Sequence, residues 1–406
     1  MALISISFFV FGFAVQNPYS IAQGLSRIII EPAVLITDYV EIGGIGAAFI
    51  NAGALMLISI AMLFALKIDI GGLYITSVFL MGSFGLFGKN IFNIWPIIFG
   101  AFVYSKLRRE PFKDHVDIAL LATSISPVVT ELLFVVDLLL WQRIVLSLLV
   151  GISIGMLIVP LSANVVKLHK GFNLYNTGFS VGILGTVYVS LFKSFGYTVY
   201  SRSVWSTGNN QLFSLFLCAL FLSMIAAAVL LDRHAPKKVF RIFTYPGTLY
   251  SDFIASDGFA ASLLNMGING LAATGYVLLV GGDLNGPTTG GILTVAGFGA
   301  FGKHLRNITP IWIGVFIGSL TKIWNINDPA IQLAALFGTS LAPIAGHYGW
   351  IWGIAAGYIN SSVVLNSGIL HGGLNLYNTG FSAGIVATVM VPLLDTFRKK
   401  GKSPAQ

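Results

Sequence analysis

Long apolar runs separated by short polar gaps make up most of the chain, and several have the length of a membrane-spanning helix. A helix needs about 20 consecutive apolar residues to cross the ~30 Å hydrocarbon core of a bilayer. Runs of this length occupy residues 42–66, 144–168, 211–231 and 258–280. The apolar residues 4–15 lack a basic leader and a cleavage site, so we interpret them as a retained first membrane segment.

Shorter apolar runs lie between the long ones and are nearer to half of a span. They occupy residues 73–86, 178–189 and 287–301. Gaps at 69–72 and 283–287 precede two of them and contain Gly or Pro, which interrupt helices. Broken helices persist in a membrane only where protein or a water-filled cavity satisfies their backbone. We therefore predict short re-entrant or broken helices, and for residues 114–142 either one broken span or a hairpin.

Composition narrows the class of protein further. Apolar and aromatic residues make up 56% of the 406 residues, charged residues make up 9%, and the mean hydropathy is +0.85. Soluble domains average about 25% charged residues, and this chain is far too apolar for a disordered, collagen-like or disulfide-rich protein. Cys218 is the single cysteine, which leaves no disulfide or cysteine metal site within the chain. We expect an all-α polytopic integral membrane protein with no metal, no cofactor and no nucleic-acid partner.

An internal repeat organises the chain. The sequence Asn-Leu-Tyr-Asn-Thr-Gly-Phe-Ser at 173–180 recurs unchanged at 375–382, and Phe-Gly-Lys at 87–89 recurs at 301–303. We therefore predict two membrane repeats. The predicted segments are 1–26 for an N-terminal membrane segment, 27–195 for repeat 1, 196–240 for a connecting transmembrane segment and cytoplasmic linker, 241–395 for repeat 2, and 396–406 for a basic cytoplasmic tail.

The basic residues predict that the two repeats have opposite orientations in the membrane. The segment 106–113 is rich in Lys and Arg, whereas its counterpart 321–329 holds one basic residue. Basic loops face the cytoplasm, and one extra crossing at 211–231 would invert the second repeat. Inverted repeats are typical of transporters and channels with a site near the midplane. We expect a multi-pass protein of a bacterial cell membrane with both termini in the cytoplasm.

The duplicated element supplies the candidate pore lining. Its amide, phenol and hydroxyl groups carry no formal charge, and neutral groups of this kind can replace water around a small polar solute. An alternative is that they only join helices through hydrogen bonds, but the survival of the element in both copies favours a functional role. The candidate residues are Asn173, Tyr175, Asn176 and Thr177 in repeat 1, and Asn375, Tyr377, Asn378 and Thr379 in repeat 2.

A second polar element follows the gap before residue 287. Asn285, Thr288 and Thr289 stand at the start of a short apolar run, where hydroxyls and free backbone amides of a helix N-terminus could face a solute. Simple turn chemistry explains this element equally well. The corresponding segment of repeat 1, 71–76, is much less polar, so a site here would be asymmetric.

Three pairs of ionisable residues are candidates for ion coupling or a proton relay: His169 and His371, Lys89 and Lys303, and Asp69 and Asp283. For the histidines we favour a structural role over a proton relay. For the lysines the common explanation is a snorkelling anchor at the membrane interface, although at a re-entrant tip they would pair with the aspartates. Glu131 and Asp137 lie in an apolar stretch of repeat 1 only, and carboxylates inside a membrane are functional candidates by default.

No catalytic residue is predicted. The sequence Gly-Ile-Ser-Ile-Gly at 151–155 has the spelling of a nucleophile elbow, but it lies within a long span rather than at a strand-to-helix turn. Only the glycines recur in the counterpart at 353–357, so close helix packing explains the motif better. The chain contains no phosphate loop or dinucleotide fingerprint. We therefore expect no enzymatic activity.

The doubled Asn-Leu-Tyr-Asn-Thr-Gly architecture resembles a bacterial family of two-copy membrane proteins of unknown function, over nearly the whole chain. Two short stretches also resemble urea transporters. Residues 285–290 are similar to their Asn-Pro-x-Ser/Thr-Gly element, with an additional glycine here, and residues 373–380 to their Gly-Leu-Tyr-Gly-Tyr-Asn-Gly stretch. The second resemblance implies inverted repeats with paired half-helices, and a trimer with a pore in each subunit.

These features favour a channel or facilitator for a small uncharged polar solute, urea-like or amide-like, with its pore at the interface of the repeats. A proton- or sodium-coupled secondary transporter of such a solute is the alternative. A non-transport membrane protein that handles lipid or acts as a scaffold is a further alternative. The expected partners are the lipid bilayer, the small polar solute and further copies of the chain in a trimer or dimer.

Overall fold

The structure is a computed structural model that describes the backbone of residues 1–400 and the side chains of residues 1–397. Within this part the chain folds into helices and has no β-strand. In lipid, backbone groups must be paired within a segment, and a helix achieves this pairing by itself. The end of the predicted basic tail, 401–406, and the side chains of 398–400 lie outside the described residues.

The first half of the chain contains ten α-helices, with short 3-10 turns at Phe112–His115 and Thr123–Ile125. The helices are α1 (Ala2–Val15), α2 (Pro18–Ile30), α3 (Tyr39–Gly43), α4 (Ile45–Ala65), α5 (Gly72–Gly85), α6 (Trp95–Arg108), α7 (Val116–Ala122), α8 (Pro127–Phe134), α9 (Leu140–His169) and α10 (Asn176–Ser194).

The second half repeats this order, with 3-10 turns at Phe298–Ala300 and Thr339–Leu341. Its helices, within the described residues, are α11 (Asn210–Leu231), α12 (Ala235–Ile242), α13 (Phe253–Asp257), α14 (Phe259–Leu279), α15 (Gly286–Gly297), α16 (Leu305–Thr321), α17 (Pro329–Gly338), α18 (Ala342–Tyr348), α19 (Trp350–Ser367) and α20 (Asn378–Lys400).

Six helices of the described part have the length and hydropathy of membrane spans. They are α4, α9, α11, α14, α20 and the continuous segment Pro329–Tyr348. Two further pairs are bent, α1 with α2 by 115° and Phe112–Ile125 with α8 by 45°. The helix α5 is apolar but short, as predicted. The prediction of an all-α polytopic membrane protein with broken helices is confirmed. The bent helix pair in region 114–142 ends at Phe134, before α9 begins at Leu140.

The two halves are inverted relative to each other. Helices α5 and α15 pack side by side with the start of each against the end of the other, since the hydroxyl of Ser83 near the end of α5 donates to the carbonyl of Gly290 near the start of α15 (2.6 Å). Helices α1 and α11 also run in opposite directions, because Phe8 packs on Phe216 and Phe11 on Phe213. In both of these pairs, the equivalent helices of the two repeats therefore point in opposite directions.

Each repeat begins with a helix in front of its predicted boundary. Helix α1 packs antiparallel on α4, where Ser5 Oγ donates to the carbonyl of Gly53 (2.8 Å). Helix α11 packs antiparallel on α14 in the same way, and Asn210 Nδ2 donates to the carbonyl of Gly282 just after α14 (3.0 Å). The helix expected to be an extra connecting crossing is thus the structural counterpart of α1.

Two aspartates cap the short helices across the boundary between the repeats. Asp252 of repeat 2 accepts from the backbone amide of Gly72, which starts α5 (2.9 Å). Asp38 of repeat 1 accepts from the amide of Gly286, which starts α15 (3.2 Å). A carboxylate at a helix N-terminus satisfies free amides and the positive end of the helix dipole. Each repeat therefore completes the short helix of the other.

Glycines bring helices α6 and α9 into backbone contact. A Cβ atom on Gly155 would lie 2.0 Å from the carbonyl oxygen of Ile97, and one on Gly100 would lie 2.1 Å from that of Ile152. In repeat 2, a Cβ on Gly357 would lie 2.3 Å from the carbonyl oxygen of Ile311. This contact is what small residues provide in membrane helices. The sequence at 151–155 is a packing motif, as expected.

The structure differs from the sequence prediction in the length of two helices. Helix α10 has 19 residues and continues through Lys193 to Ser194, whereas the apolar run predicted a half-span ending at 189. Polar residues at its end do not stop the helix because they lie on its exposed side. Helix α9 has 30 residues and its counterpart α19 has 18, so the extra residues of repeat 1 lengthen this helix.

The cross-repeat cap predicts a specific loss of stability. Asp252→Ala leaves the amides of Gly72 and of two residues at the start of α13 without their carboxylate, so we expect a loss of about 1–2 kcal/mol of unfolding free energy. Thermal unfolding of the purified protein in detergent would measure it. The control is Asp69→Ala, which removes an exposed aspartate three residues before α5. Equal destabilisation by the two substitutions would contradict the cap.

Candidate functional site

The duplicated element lies at the centre of the molecule, where α10 and α20 begin and cross. A Cβ atom on Gly182 would lie 2.3 Å from the ring of Phe381, and one on Gly384 would lie 2.2 Å from the ring of Phe179. Only glycine allows the helices to approach this closely. The crossing places the polar residues that precede each helix next to those of the other repeat.

The first asparagine of each element joins the two repeats. Asn173 Nδ2 donates to the carbonyl of Gly380 (2.9 Å), and Asn375 Nδ2 donates to the carbonyl of Gly178 (3.2 Å). The oxygen of each amide accepts from a backbone amide two residues along its own loop. Both side chains are fully buried. Asn173 and Asn375, predicted as pore lining, are fully used in holding the crossing together.

The second asparagine of each element pairs with the predicted histidine. The Nε2 atom of His169 lies 3.0 Å from Asn176 Oδ1, and its Nδ1 atom accepts from the amide of Asn173. The same pattern recurs at His371 and Asn378. One neutral tautomer, with the proton on Nε2, satisfies both contacts. Each histidine thus fixes a loop, and a second proton would break the bond at Nδ1, which supports the structural role over the relay.

The tyrosines of the duplicated element form the middle of an aromatic cluster. The rings of Tyr175 and Tyr377 lie 5.0 Å apart. Phe298 packs on Tyr175 at 4.8 Å, Phe84 packs on Tyr377 at 4.6 Å, and Phe337 stacks on Phe84 at 5.7 Å. These five residues are called the aromatic plug below. The plug closes the centre of the molecule.

Both predicted lysines are buried beside this plug. Lys303 Nζ donates to Tyr175 Oη at 2.6 Å and to Thr339 Oγ1 at 2.7 Å. Lys89 makes only long contacts, 3.5 Å to the sulfur of Met81 and 3.4 Å to the carbonyl of Leu120. Both side chains have an exposed fraction of 0%. The expectation that they snorkel to the membrane interface is therefore wrong, because each reaches into the protein instead.

The lysines do not pair with the predicted aspartates either. Asp69 is exposed before the start of α5, whereas Lys89 follows the end of this helix of 14 residues, which is about 21 Å long. Asp283 is half-buried and accepts from the indole nitrogen of Trp205 at 3.3 Å. The two groups of each predicted pair lie at opposite ends of a short helix. No ion pair of either lysine occurs within residues 1–397.

The second polar element serves its own helix. Asn285 Oδ1 accepts from the amide of Thr288 at 3.1 Å, and Thr288 Oγ1 donates to the carbonyl of Asp283 at 2.6 Å. The amide of the following Gly286 is taken by Asp38. Thr289 is buried and its hydroxyl has no partner among the described residues. The turn interpretation describes Asn285 and Thr288, and this helix N-terminus is closed to a solute.

Two cavities related by the repeat flank the crossing. Cavity I, of about 270 Å³, is lined by residues of both repeats, including Asn176, Thr177 and both plug tyrosines. Cavity II, of about 250 Å³, includes Asn378 and Thr379. The second asparagine and the threonine of each duplicated element therefore line a cavity, and each repeat supplies one such wall.

The cavities lie towards opposite ends of the molecule. Cavity I is lined by Leu73 and Tyr250, which stand beside the start of α5. Cavity II is lined by Ile36, which stands beside Asp38 and hence beside the start of α15 at the other end of α5. Cavity I also includes Asp117, which follows the basic segment 106–113 in the chain. We call the side of cavity I the basic end.

The cavities differ where the repeats differ in sequence. Ser162 lines cavity I, and its counterpart in cavity II is Val364. Leu121 lines cavity I, and its counterpart is the larger Phe337 of the plug. Cavity I reaches the plug tyrosines, whereas the lining of cavity II ends at Phe337. Cavity I therefore reaches the plug tyrosines and has the larger number of polar side chains among its lining residues.

Glu131 and Asp137, the two carboxylates that the sequence analysis singled out, lie outside both cavities. Glu131 is buried and accepts from the hydroxyl of Tyr197 at 2.6 Å, and Asp137 is exposed. Within the described residues, no group of three or more His, Cys, Asp or Glu side chains could hold a metal ion. Ionisable chemistry near the cavities comes from Asp117 and the buried lysines.

The sequence analysis missed three residues of this site: Ser162, Phe337 and Thr339. Thr339 has a counterpart in repeat 1, Thr123, so aligning the repeats beyond their identical segments finds it. Ser162 and Phe337 differ from their counterparts, and a search for identity between the copies passes over such positions. Ser162 and Phe337 could have been found by aligning the two repeats and examining the positions at which they differ.

The matched family model covers most of the chain. A family described as proteins of unknown function (DUF1576) matches residues 17–194 and again residues 231–396, once for each repeat. The chain belongs to this family, and the predicted two-copy family is confirmed. No curated protein and no solved structure matches the chain. The resemblance of two short stretches to urea transporters is not shown by these comparisons.

The position of the cavities predicts which side of the membrane reaches each one. Replacing Cys218 by Ser removes the single cysteine, and Thr177→Cys or Thr379→Cys then places one thiol in cavity I or cavity II. We expect a membrane-impermeant methanethiosulfonate reagent to modify the first variant from one side only and the second from the other side only. Labelling of sealed right-side-out and inside-out vesicles would measure this.

The control is Ser180→Cys, because Ser180 is buried next to Thr177 on the same helix and lines neither cavity. This variant should resist the reagent from both sides. Modification of both cavity variants from the same side would contradict the arrangement of the cavities.

Proposed function

We propose that the protein is a carrier that moves a small polar solute across the membrane between cavity I and cavity II. One observation carries the proposal: inverted repeats form two matching cavities towards opposite ends, and these meet at a closed aromatic plug. A carrier needs a central site that is reached from one side at a time, and inverted repeats supply two such pathways from one fold. The membrane character of the chain agrees with this role.

The closed centre favours a carrier over the open channel that the sequence suggested. Tyr175 and Tyr377 are each only 2% exposed, and their rings are in contact. The backbone carbonyls at the crossing are already paired with Asn173 and Asn375. A continuous polar path would require both the plug and these hydrogen bonds to open together. Movement of the plug towards one cavity at a time costs less, because the crossing remains intact.

The cavity walls indicate the kind of solute. Ser162, Asn176 and Thr177 line cavity I beside the carboxylate residue Asp117, while most of the remaining wall is aliphatic or aromatic. A water molecule takes about 30 Å³ of liquid volume, so a cavity of about 270 Å³ holds a solute of only a few heavy atoms. A small uncharged solute with hydrogen-bonding groups, such as an amide or a urea-like molecule, fits this wall.

The orientation follows from the basic residues. The positive-inside rule places the segments 106–113 and 233–241 in the cytoplasm, and cavity I lies on that side. Under this proposal cavity I is the cytoplasmic entrance in a bacterial cell membrane and cavity II the outer one. The lipid bilayer is the surrounding partner, and assembly into a trimer or dimer is part of the proposal.

Solute flux through proteoliposomes tests the proposal. Stopped-flow light scattering would follow the entry of urea, acetamide and glycerol, compared with liposomes without protein. Ser162→Val gives cavity I the residue of cavity II and removes one hydroxyl, so we expect the flux of the best solute to fall about fivefold, the equivalent of one hydrogen bond of about 1 kcal/mol. Phe337→Leu gives cavity II the leucine that repeat 1 has at this position. We expect it to raise the flux, because a smaller side chain makes the aromatic plug thinner.

The matched control is Ser153→Val, which makes the same change on the same helix α9. Ser153 bonds to the hydroxyl of Tyr188 at 2.6 Å and lines neither cavity. Its flux should equal that of the unmodified protein. If none of the three solutes enters faster than into empty liposomes, and no cavity thiol is reached from either side, a lipid-handling or scaffolding role replaces the carrier.

A further inference from the structure

Two buried lysines without a counter-charge need an explanation. Lys89 and Lys303 are fully buried beside the plug, and neither forms an ion pair within residues 1–397. Burying an ammonium away from water is costly unless partners stabilise it, and a neutral amine avoids this cost. Lysines kept in such a place in a membrane protein are functional candidates.

The surroundings of Lys303 accept both states of its amine. Its partners are the hydroxyls of Tyr175 and Thr339, at 2.6 and 2.7 Å. The ring faces of Tyr175 and Phe298 lie 4.5 and 4.8 Å from its nitrogen and attract a cation. A hydroxyl oxygen accepts from the ammonium, and a hydroxyl proton can be donated to the neutral amine. A carboxylate partner would instead hold the charge permanently.

Tyr175 connects Lys303 to cavity I. The tyrosine lines this cavity, and its hydroxyl touches the lysine behind it. Lys303 itself does not line either cavity. The shortest hydrogen-bonded route from the amine to the solute cavity therefore passes through one phenol.

Lys89 lacks this connection. Met81 stands between Lys89 and Thr123, and its sulfur takes the contacts of both side chains at 3.5 and 3.4 Å. The position of Met81 corresponds to Val295 in repeat 2, which is too short to intervene there. The sequence difference thus gives one of two equivalent lysines a hydroxyl partner and leaves the other without one.

We propose that Lys303 is the proton-binding site of a proton-coupled carrier, and that Tyr175 passes the proton between Lys303 and cavity I. This inference rests on the proposed carrier function and names its coupling ion. In the release step, Lys303 gives a proton to Tyr175 Oη while the original hydroxyl proton of Tyr175 goes to a water molecule in cavity I. The tyrosine ends neutral, the amine loses one positive charge, and the water gains it.

Few titratable groups surround this site. Tyr377 packs on Tyr175, and Asp117 lines cavity I. His304 follows Lys303 in the chain, but its Nε2 lies 3.0 Å from the carbonyl oxygen of Tyr245 and its ring is packed away from the plug. Of these groups, Lys303 is the one whose nitrogen is hydrogen-bonded to Tyr175 Oη.

A stability measurement tests proton exchange without any solute. The unmodified protein, Lys303→Met and Lys89→Met would be melted in detergent between pH 5 and pH 9. A buried amine that is neutral in the folded protein takes up a proton on unfolding, so the unmodified protein should lose stability relative to Lys303→Met as the pH falls. We expect the gap between their melting temperatures to change by about 2 °C per pH unit and to become constant below the pH at which Lys303 binds its proton in the folded protein. Lys89 lacks a hydroxyl partner, so the gap for Lys89→Met should keep changing down to pH 5, and the same behaviour in Lys303→Met would count against the proton site.

A gap that is constant over the whole range from pH 5 to pH 9 for Lys303→Met would overturn the proton site, whether or not the protein carries a solute. The second measurement uses proteoliposomes that contain the pH dye pyranine and are given the fastest of urea, acetamide and glycerol. We expect solute entry to move protons in the unmodified protein. Tyr175→Phe, which keeps the ring and removes the relay hydroxyl, should slow proton movement at least tenfold. Tyr276→Phe, which removes a buried hydroxyl that lines neither cavity, should not.

The two measurements separate the two proposals. Solute entry without proton movement in the unmodified protein overturns the coupling and leaves the carrier standing. A pH-dependent gap without entry of any of the three solutes supports the proton site and counts against the carrier of these solutes. Lys303→Met should still exchange solute but should no longer respond to a pH gradient, and an unchanged response in this variant would also overturn the inference.

Discussion

The whole arrangement depends on one requirement: the backbone groups of helix ends that lie within the membrane must find partners, and water is absent there. In this protein the other repeat supplies those partners. Asp38 and Asp252 take the free amides that start the short helices, and Asn173 and Asn375 add hydrogen bonds to carbonyls at the start of the other repeat's crossing helix. Neither repeat can bury its broken helices alone, so the two must fold against each other.

The same requirement decides which polar groups remain for a solute. The amides of Asn173 and Asn375 and the N-termini of α5 and α15 are consumed by contacts between the repeats. Thr177 and Thr379, which follow these asparagines in the duplicated element, line the cavities instead. Structural and solute-facing residues are therefore adjacent in the chain. A polar motif in a membrane protein contains both kinds, and its spacing along the sequence does not separate them.

The sequence was sufficient for the architecture, because hydropathy and the repeat are properties of long segments. The long spans, the short helices α5 and α15 and the close packing at 151–155 follow from such segments, whereas α10 is longer than its apolar run. The surroundings of single residues could not be predicted in this way. Lys89 and Lys303 end apolar runs like interfacial anchors, and only the packing of the plug shows that they point inward. The caps by Asp38 and Asp252 join residues far apart in the chain, and no local pattern reveals them.

Identity and difference between the repeats carry separate information here. Each bond across the pseudo-twofold axis pairs the asparagine of one copy with a glycine carbonyl of the other, so both copies must keep the element for the crossing to form. A carrier that works between two unlike compartments has no such need for equal cavities. Ser162 in cavity I corresponds to Val364 in cavity II, and Leu121 in cavity I corresponds to Phe337 in cavity II. In a protein built this way, the identical residues hold the centre together and the unequal ones give the two sides their different properties.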